Sequence, residues 1–201
     1  NAMPATKKIT KEAIIDAAVD VLRDGGFSAI NARSVAKKLG CSTQPIYLSF
    51  RSMDELKAAL TQRAIAMHTQ RVRAVLRAHE GSDNRYSSYG MGFVQFAAQE
   101  KQLFRWLYLE DNQFGQYQAD VLQQEIIQTI VDELGYSEET ARRFHQDMIY
   151  FSYGLAILAN TGHLHLSDPA LREAFRRECR ALASVYGPPA RLPAFAQKAQ
   201  E

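Results

Sequence analysis

Residues 31–56 read NARSVAKKLGCSTQPIYLSFRSMDEL, and this stretch decides the fold of the chain. The spacing predicts two short helices joined by a tight turn. Asn31 is expected to cap the first helix, and Gly40 can end it in the left-handed conformation. Ser42 is expected to cap the second helix, and Pro45 fits its first turn, where N–H groups lack helical partners. This pattern predicts a helix-turn-helix, whose second helix can enter the major groove of DNA.

The residues on either side of this stretch support the same interpretation. Thr10 is expected to cap a preceding helix that stops at the Gly25-Gly26 pair. Ser52 and Glu55 form a predicted capping box, which opens a helix without Gly or Pro as far as Glu80. The spacing alone leaves one alternative open, an ordinary helical hairpin inside an all-α protein.

The rest of the chain also shows helical periods and no strand-like alternation. Further helices are predicted over residues 85–99, 103–109, 113–134, 137–161 and 168–186. Pro188, Pro189 and Pro193 indicate a tail that is not helical. We therefore expect an all-α fold with about nine helices in total.

The N-terminal part of the chain resembles the DNA-binding domain of the TetR family of one-component transcriptional regulators. The resemblance is carried by Gly25-Gly26-Phe27 and by the pattern N-A-R-S-V-A-x-x-L-G-C-S-x-x-P-I-Y-x-x-F from Asn31. It covers about residues 8–60, and the remainder of the chain is similar only in its helical layout. Two positions depart from the family pattern. Ser49 stands where His or Tyr is common, and Met53 stands where a Lys often touches phosphate.

The resemblance implies a division of the chain into four segments. These are a tag scar and flexible N-terminus (1–7), a three-helix helix-turn-helix domain (8–52), a helical effector-binding and dimerisation domain entered through a long helix (53–187) and a Pro-containing tail (188–201). It also implies a sequence-specific DNA-binding regulator, by family default a repressor. Such a protein binds a pseudo-palindromic operator as a homodimer and is released by a small hydrophobic or aromatic effector.

The residues expected to contact DNA follow from the geometry of the second helix. Val35, Leu39, Ile46 and Phe50 form the predicted apolar plug between the two helices. Thr43, Gln44 and Tyr47 point away from this plug. Gln44 can pair with adenine, and Thr43 or Pro45 can pack on a thymine methyl. The resemblance implies that Tyr47 donates to a phosphate. The predicted DNA-binding residues are Arg33, Ser34, Lys38, Ser42, Thr43, Gln44, Pro45, Tyr47 and Arg51. A solvated helix face is the alternative for Lys37 and Lys38.

The resemblance also implies an effector cavity and a dimer interface in the C-terminal domain. The predicted cavity residues are Phe93, Phe96, Leu103, Trp106, Leu107, Tyr117, Met148 and Phe151. Such a stripe is also typical of a plain helical core. The predicted interface residues are Tyr150, Gly154, Ile157, Leu158, Leu171, Phe175 and Leu182. The alternative is that this face is buried within one protomer.

Composition and motifs bear on the rival classes of function. Two cysteines among 201 residues suit a reducing cytoplasm. The net charge of +2 is close to balanced, and the longest apolar stretch is too short and too polar to span a bilayer. His163, His165 and Asp168 match no standard zinc spacing, and neither a nucleophile elbow nor a phosphate loop occurs in the sequence. We expect no enzyme activity, cofactor, metal or membrane partner. The alternatives are a helical metal-dependent enzyme and a protein-interaction module without DNA binding.

Overall fold

Nine helices make up most of the residues that this computed structural model describes, which are 9–79, 85–110 and 122–187. They are α1 (Lys11–Gly25), α2 (Ala32–Leu39), α3 (Gln44–Ser49), α4 (Met53–Ala78), α5 (Arg85–Gln99), α6 (Lys101–Phe104), α7 (Leu122–Leu134), α8 (Glu138–Thr161) and α9 (Asp168–Tyr186). A 3-10 turn, Phe27–Ala29, follows α1, and α6 continues as a π-helical turn over Arg105–Leu109. The all-α prediction is confirmed. The predicted N-terminal segment 1–7, the tail 188–201 and the start of the helix predicted from residue 113 lie outside the described residues.

Polar caps set the boundaries of the N-terminal helices. The Thr10 hydroxyl accepts a hydrogen bond from the backbone N–H of Ala13 at the start of α1. The Asn31 carboxamide oxygen accepts from the N–H groups of Arg33 and Ser34, both at 3.0 Å, and so opens α2. Gly40 ends α2 with φ 68°, in the left-handed region that glycine enters without steric cost. These local signals fix α1 and α2 independently of the rest of the chain.

Two predicted caps differ from the structure. Thr43, not Ser42, precedes α3, and its side chain makes no capping hydrogen bond. Its backbone is already in the right-handed helical region, so its carbonyl accepts the first helical bonds from Ile46 and Tyr47. The box at the start of α4 is displaced by one residue. Ser52 accepts from the N–H of Glu55, but the Glu55 carboxylate accepts from the N–H of Arg51 at 2.8 Å.

The helix predicted over residues 103–109 begins earlier than its apolar pattern indicates. The Phe104 N–H donates to the carbonyl of Glu100 at 2.8 Å, which brings the polar residues from Lys101 into the first turn. The helix then widens into the π-helical turn, and the N–H of Glu110 reaches back to the carbonyl of Arg105 at 2.9 Å. Both ends of this segment are therefore set by backbone hydrogen bonds that hydrophobic periodicity does not report.

The N-terminal head, residues 9–52, packs α3 against α1 and α2 around an apolar plug. The fully buried side chains of Leu22, Val35, Ile46 and Phe50 belong to this plug. Leu39, predicted to join it, is only partly buried. Because these side chains interlock, α3 is held at a fixed angle with its opposite face free.

Helix α5 lies at the centre of the C-terminal part and packs against α4, α7, α8 and α9. Gly92 permits the close approach of α4, since a Cβ at this position would lie 2.8 Å from the Cα of Val72. Gly90 permits a second close approach, because the ring of Phe175 from α9 occupies the space of its missing Cβ. No helix of the described ranges 9–79, 85–110 and 122–187 has the length and apolar character needed to cross a membrane.

Candidate nucleic-acid interface and internal cavity

The solvent-facing side of α3 carries Gln44, Tyr47 and Leu48. These positions are spaced three and four residues apart, so they share one face of the helix. Tyr47 is 56% exposed and Leu48 is 79% exposed, while Ile46 on the other side is buried in the plug. The structure therefore brings the predicted readers Gln44 and Tyr47 to one exposed face, whereas Thr43 and Pro45 are half-buried beside it.

Leu48 was not predicted for this face, since leucine is usually a core residue. The sequence spacing does indicate that Leu48 is exposed. Leu48 follows Gln44 by four residues and Ile46 by only two, so a helix that buries Ile46 must turn Leu48 outward. An exposed leucine on a short polar helix has no packing role within the protomer, and it adds an apolar element to this face.

Basic side chains surround the exposed face of α3. Arg33, Lys38 and Arg51 are all exposed. The Lys38 ammonium lies 2.9 Å from a carboxylate oxygen of Asp24, and this hydrogen bond raises the pKa of Lys38. An ion pair at such an exposed position contributes little to stability. The Lys38 ammonium is therefore able to exchange Asp24 for another anion.

Ser34 and Ser42 differ in how far their side chains are already engaged. The Ser34 hydroxyl accepts from the N–H of Asn31 at 3.1 Å and donates to the carbonyl of Ala29 at 2.7 Å. It thereby completes a capping box with Asn31 at the start of α2. Ser42 is exposed in the turn before α3. The Ser34 hydroxyl stabilises the start of α2, and the DNA contacts expected of Ser34 and Ser42 stay predictions.

An internal cavity of about 490 Å³ lies between α4, α5, the π-helical turn, α7, α8 and α9. Six aromatic rings line it, those of Tyr86, Tyr89, Phe93, Tyr108, Tyr153 and Phe175. Polar groups at its wall include His68, His145, Gln123, Ser152 and Glu110. This combination of mostly apolar walls and a few polar groups is typical of small-molecule sites.

The predicted cavity residues are only partly brought together here. Phe93, Leu107 and Met148 line the cavity. Phe96 and Leu103 do not, because both lie in the solid core, where Phe96 packs edge-on against the ring of His68 at 5.0 Å.

Trp106 and Phe151 also lie outside the cavity. Trp106 stacks on Phe27 of the head with ring centroids 4.9 Å apart. Phe151 packs edge-on against Phe175 at 5.5 Å. The predicted Tyr117 lies outside the described residues. Hydrophobic spacing found the buried aromatic residues, but it did not separate those that face a void from those that face another helix.

Two histidines, the buried His68 and the half-buried His145, belong to the cavity wall and were missed. His68 Nδ1 lies 3.1 Å from the hydroxyl of Tyr108, and His145 Nδ1 lies 3.1 Å from the hydroxyl of Tyr86. Burial lowers the pKa of each histidine to about 4, so both are neutral at neutral pH. A signal for His68 was present, because it continues the i+4 spacing of the buried Leu60 along α4.

The π-helical turn connects the head to the cavity. Leu107 and Tyr108 line the cavity, while the neighbouring Trp106 stacks on Phe27 at the end of α1. Just before this turn, the Arg23 guanidinium binds both carboxylate oxygens of Glu100, at 2.5 and 2.9 Å. Bidentate pairs of this kind fix orientation as well as distance. The π-helical turn therefore contacts the cavity on one side and the head on the other.

Four of the predicted dimer-interface residues lie on an exposed apolar surface of α8. Tyr150, Gly154, Ile157 and Leu158 lie on its exposed side, and Tyr150 is 66% exposed. A Cβ on Gly154 would meet no atom within 4 Å. An exposed face of this kind is suited to close contact with another helix.

The predicted interface residues on α9 are placed differently. Leu171 and Phe175 are buried within the protomer, at 3% and 1% exposure, so their assignment to the surface is wrong. The apolar face of α9 that carries them packs against α5 and α8 of the same chain. Hydrophobic spacing alone does not show whether such a face packs within one protomer or against a second one. Leu182 is half-buried, and Val185 is instead the large apolar residue that α9 exposes.

The loop between α8 and α9 holds the histidines considered as metal ligands. His163 Nδ1 lies 2.9 Å from the Thr161 hydroxyl, and Asp168 accepts a hydrogen bond from the Gln95 side chain at 2.8 Å. Within residues 9–79, 85–110 and 122–187, no three His, Cys, Asp or Glu side chains are close enough together to hold a metal ion.

Comparison with known proteins gives a family for the head and related folds for the chain. Residues 14–60 match the family described as bacterial regulatory proteins, tetR family. No curated protein matches the chain significantly.

Solved structures with the same fold cover most of the chain. A TetR-like transcriptional regulator from Rhodococcus sp. RHA1 is similar with a TM-score of 0.64 and 20% identity, over 90% of this chain and 99% of that chain. A putative TetR family transcriptional regulator from Vibrio parahaemolyticus gives 0.58 and 17%, over 85% and 96%. The multidrug binding protein EbrR, complexed with imidazole, gives 0.55 and 17%, over 83% and 93%. Residues 14–60 are therefore similar to the tetR family of bacterial regulatory proteins, and the chain as a whole has the fold of these TetR-like structures.

Proposed function

We propose that this chain is a transcriptional repressor that binds a pseudo-palindromic operator as a homodimer and leaves it when a small hydrophobic or aromatic effector enters the cavity. The observation that carries the proposal is the exposed face of Gln44, Tyr47 and Leu48 on a helix braced by a buried plug. A short, rigidly held helix with free side chains suits insertion into the major groove.

The chemistry of this face supports direct reading of bases. The Gln44 carboxamide can pair bidentately with adenine, and Leu48 can pack against a thymine methyl. Tyr47, which is exposed on the same face, would donate to a phosphate. Arg33, Lys38 and Arg51 surround this face and would add phosphate contacts, which position the head without reading sequence.

The homodimer is supported by the exposed apolar face of α8, formed by Tyr150, Gly154, Ile157 and Leu158. A single six-residue helix contacts few base pairs, and two copies placed about 34–36 Å apart would read two half-sites on one side of the duplex. Burying this face against a second copy would also remove exposed tyrosine and aliphatic side chains from water.

Release by an effector is supported by the cavity and by its connection to the head. Its volume of about 490 Å³ lies within the usual range of ligand sites. The similar protein EbrR is described as multidrug binding. A ligand that favours a different position of Leu107 would also move Trp106 against Phe27. Its effect on DNA affinity is limited to its preference for that second conformation.

Selection of bound duplexes from random DNA tests the proposal. We expect an enriched palindrome whose affinity falls steeply with salt, because phosphate contacts release counterions. Tyr47→Ala should weaken binding to all sequences, and Gln44→Ala should relax preference at one position in each half-site. Gln70→Ala, an exposed change on α4 outside the head, serves as the matched control.

The opposite results would contradict the proposal. Failure to enrich any palindrome would contradict binding to a pseudo-palindromic operator. Full binding by both head variants would show that α3 is not the reading helix. Sedimentation equilibrium tests the dimer, since a chain that stays monomeric at micromolar concentration and on its selected duplex would contradict the two-half-site arrangement.

A further inference from the structure

The head is connected to the C-terminal part along the chain by α4 and through space by the corner between α5 and α6. Glu100 lies at this corner, and its carboxylate binds the guanidinium of Arg23 in the last turn of α1 through two hydrogen bonds, at 2.5 and 2.9 Å. A head held by one helix alone could turn about that helix. A contact away from the helix, such as this pair, removes that freedom.

The corner itself is held by Asn160, a residue near the end of α8 that is 1% exposed. Its side-chain N–H groups donate to the carbonyl oxygens of Ala97 and Lys101, at 2.9 and 3.0 Å. Its side-chain oxygen accepts from Nε of Arg105 at 3.0 Å. Ala97 lies in the last turn of α5, where carbonyl groups lack partners within the helix. One side chain therefore joins the end of α8 to α5, to α6 and to the π-helical turn.

Both contacts fix direction as well as distance. The buried carboxamide of Asn160 makes three hydrogen bonds, and a shift that broke any of them would leave a polar group unsatisfied. The planar guanidinium of Arg23 meets both carboxylate oxygens of Glu100, which defines the angle between them. Glu100 is 22% exposed, so solvent screens this pair less than a fully exposed one. The corner is thus a rigid link and not only an apolar contact.

The helix that carries Asn160 also carries the exposed apolar face of Tyr150, Gly154, Ile157 and Leu158. Two residues of an α-helix correspond to a rotation of about 200°, so Asn160 points away from Leu158. In the proposed dimer a second copy would cover the exposed face. The end of α8 would then lie between the interface and the corner that holds the head.

We infer that Asn160 and the Arg23–Glu100 pair are positioning residues, which set the distance between the two reading helices of the dimer and hence the spacing of the operator half-sites. They act on α3 through α1 and the plug, to which the neighbouring Leu22 belongs. The inference rests on the proposed function, because it requires two copies of α3 on one duplex.

The single tryptophan of the chain, Trp106, reports on this junction without DNA. Its ring is 4% exposed and stacks on Phe27 of the head. We expect Glu100→Ala to shift its fluorescence emission to longer wavelength and to increase its quenching by acrylamide, because a released head admits water to the ring. Glu138→Ala is the matched control, since it removes the carboxylate of an Arg142 pair within α8. Emission and quenching equal to those of the parent chain would overturn the inference.

A set of duplexes tests the spacing itself. The half-sites selected by the parent chain are placed at their selected separation and one base pair further apart, which adds about 3.4 Å and about 35° of rotation. We expect the parent chain to lose at least about tenfold in affinity on the longer duplex, because rigid heads miss one half-site. Glu100→Ala and Asn160→Ala should lose about threefold or less, since a released head can follow its half-site. Equal ratios in the parent chain and both variants would contradict the inference, as would a parent chain that tolerates both spacings.

An exchange of charges separates positioning from a general loss of stability. Arg23→Glu places two carboxylates together and should weaken the spacing preference as Glu100→Ala does. The double variant Arg23→Glu/Glu100→Arg restores an ion pair and should recover about half of the preference or more. A double variant no better than Arg23→Glu, with the circular dichroism of the parent chain, would reject the role of the pair. These partly exposed positions keep the test decisive if Asn160→Ala does not fold.

The outcomes distinguish this inference from the proposed function. A parent chain that selects no palindrome contradicts both together, whatever Trp106 reports. A parent chain that selects a palindrome, with a spacing preference that Glu100→Ala and Asn160→Ala leave unchanged, contradicts the inference alone and leaves the regulator.

Discussion

The head and the cavity domain are built on the same principle of helix packing, but they place their functional residues in different ways. The proposed DNA-reading face of the head lies on one six-residue helix, directly after a helix that Asn31 caps and Gly40 ends. The cavity instead draws its wall from six elements that are far apart in the sequence. Local sequence therefore predicts the first kind of site much better than the second.

The head and the cavity wall should also differ in how much a large side chain contributes to stability. Substitutions of one phenylalanine in each region test this difference. Phe50 is fully buried in the plug, and Phe50→Ala should lower the free energy of unfolding by about 3–5 kcal/mol. Phe93 already borders a void, so Phe93→Ala should cost about 1–2 kcal/mol less. Urea denaturation followed by circular dichroism measures both. Equal costs would mean that the cavity wall is as tightly packed as the plug.

The pH dependence of stability should come from the cavity domain. His68 and His145 have folded pKa values of about 4 against a usual 6.5, so the unfolded chain binds more protons between these values. Their contribution is complete above about pH 6.5 and is lost as the pH falls towards 4, by about 2 kcal/mol for each histidine.

His145→Gln tests this linkage. Between about pH 7 and pH 4.5, this variant should lose about 2 kcal/mol less unfolding free energy than the parent chain, because one of the two neutral histidines is gone. Denaturation curves at several pH values give the difference. An identical slope for parent and variant would show that His145 is not held in its neutral form.

The smallest expected effect concerns Leu48. Leu48→Ala should weaken binding to the selected operator about fivefold and relax preference at a position where thymine is favoured. Its stability should stay unchanged, because the side chain is 79% exposed. Competition between duplexes that carry thymine or uracil at that position isolates the methyl contact. An equal preference for thymine over uracil in parent and variant would show that Leu48 does not contact the thymine methyl group.

Sequence predicted the head well because its signals are local. Asn31 and Gly40 act within a few residues of their positions in the chain, and their predicted roles are confirmed. The exception is Ser42, where the backbone conformation of Thr43 moved the start of α3 by one residue. The identities of the DNA-contacting residues stay predictions.

The C-terminal domain shows where sequence-based prediction stops. Spacing placed Phe96, Trp106 and Phe175 on the apolar faces of their helices, but each meets a different neighbour: the core, the head and the cavity. Hydrophobic periodicity shows which face of a helix is apolar. Which element packs against that face depends on the arrangement of the helices. The same limit explains why Phe175 was assigned to a surface that it does not reach.

The contact between Gly90 and Phe175 sets the size of the cavity independently of the other wall residues. Phe175 occupies the place of the absent Cβ, so even the substitution Gly90→Ala would displace its ring. Because that ring forms part of the wall, one methyl group at a position that carries no side chain would change the room left for a ligand. If the cavity holds the proposed effector, relatives that differ only at this position would therefore accept molecules of different size.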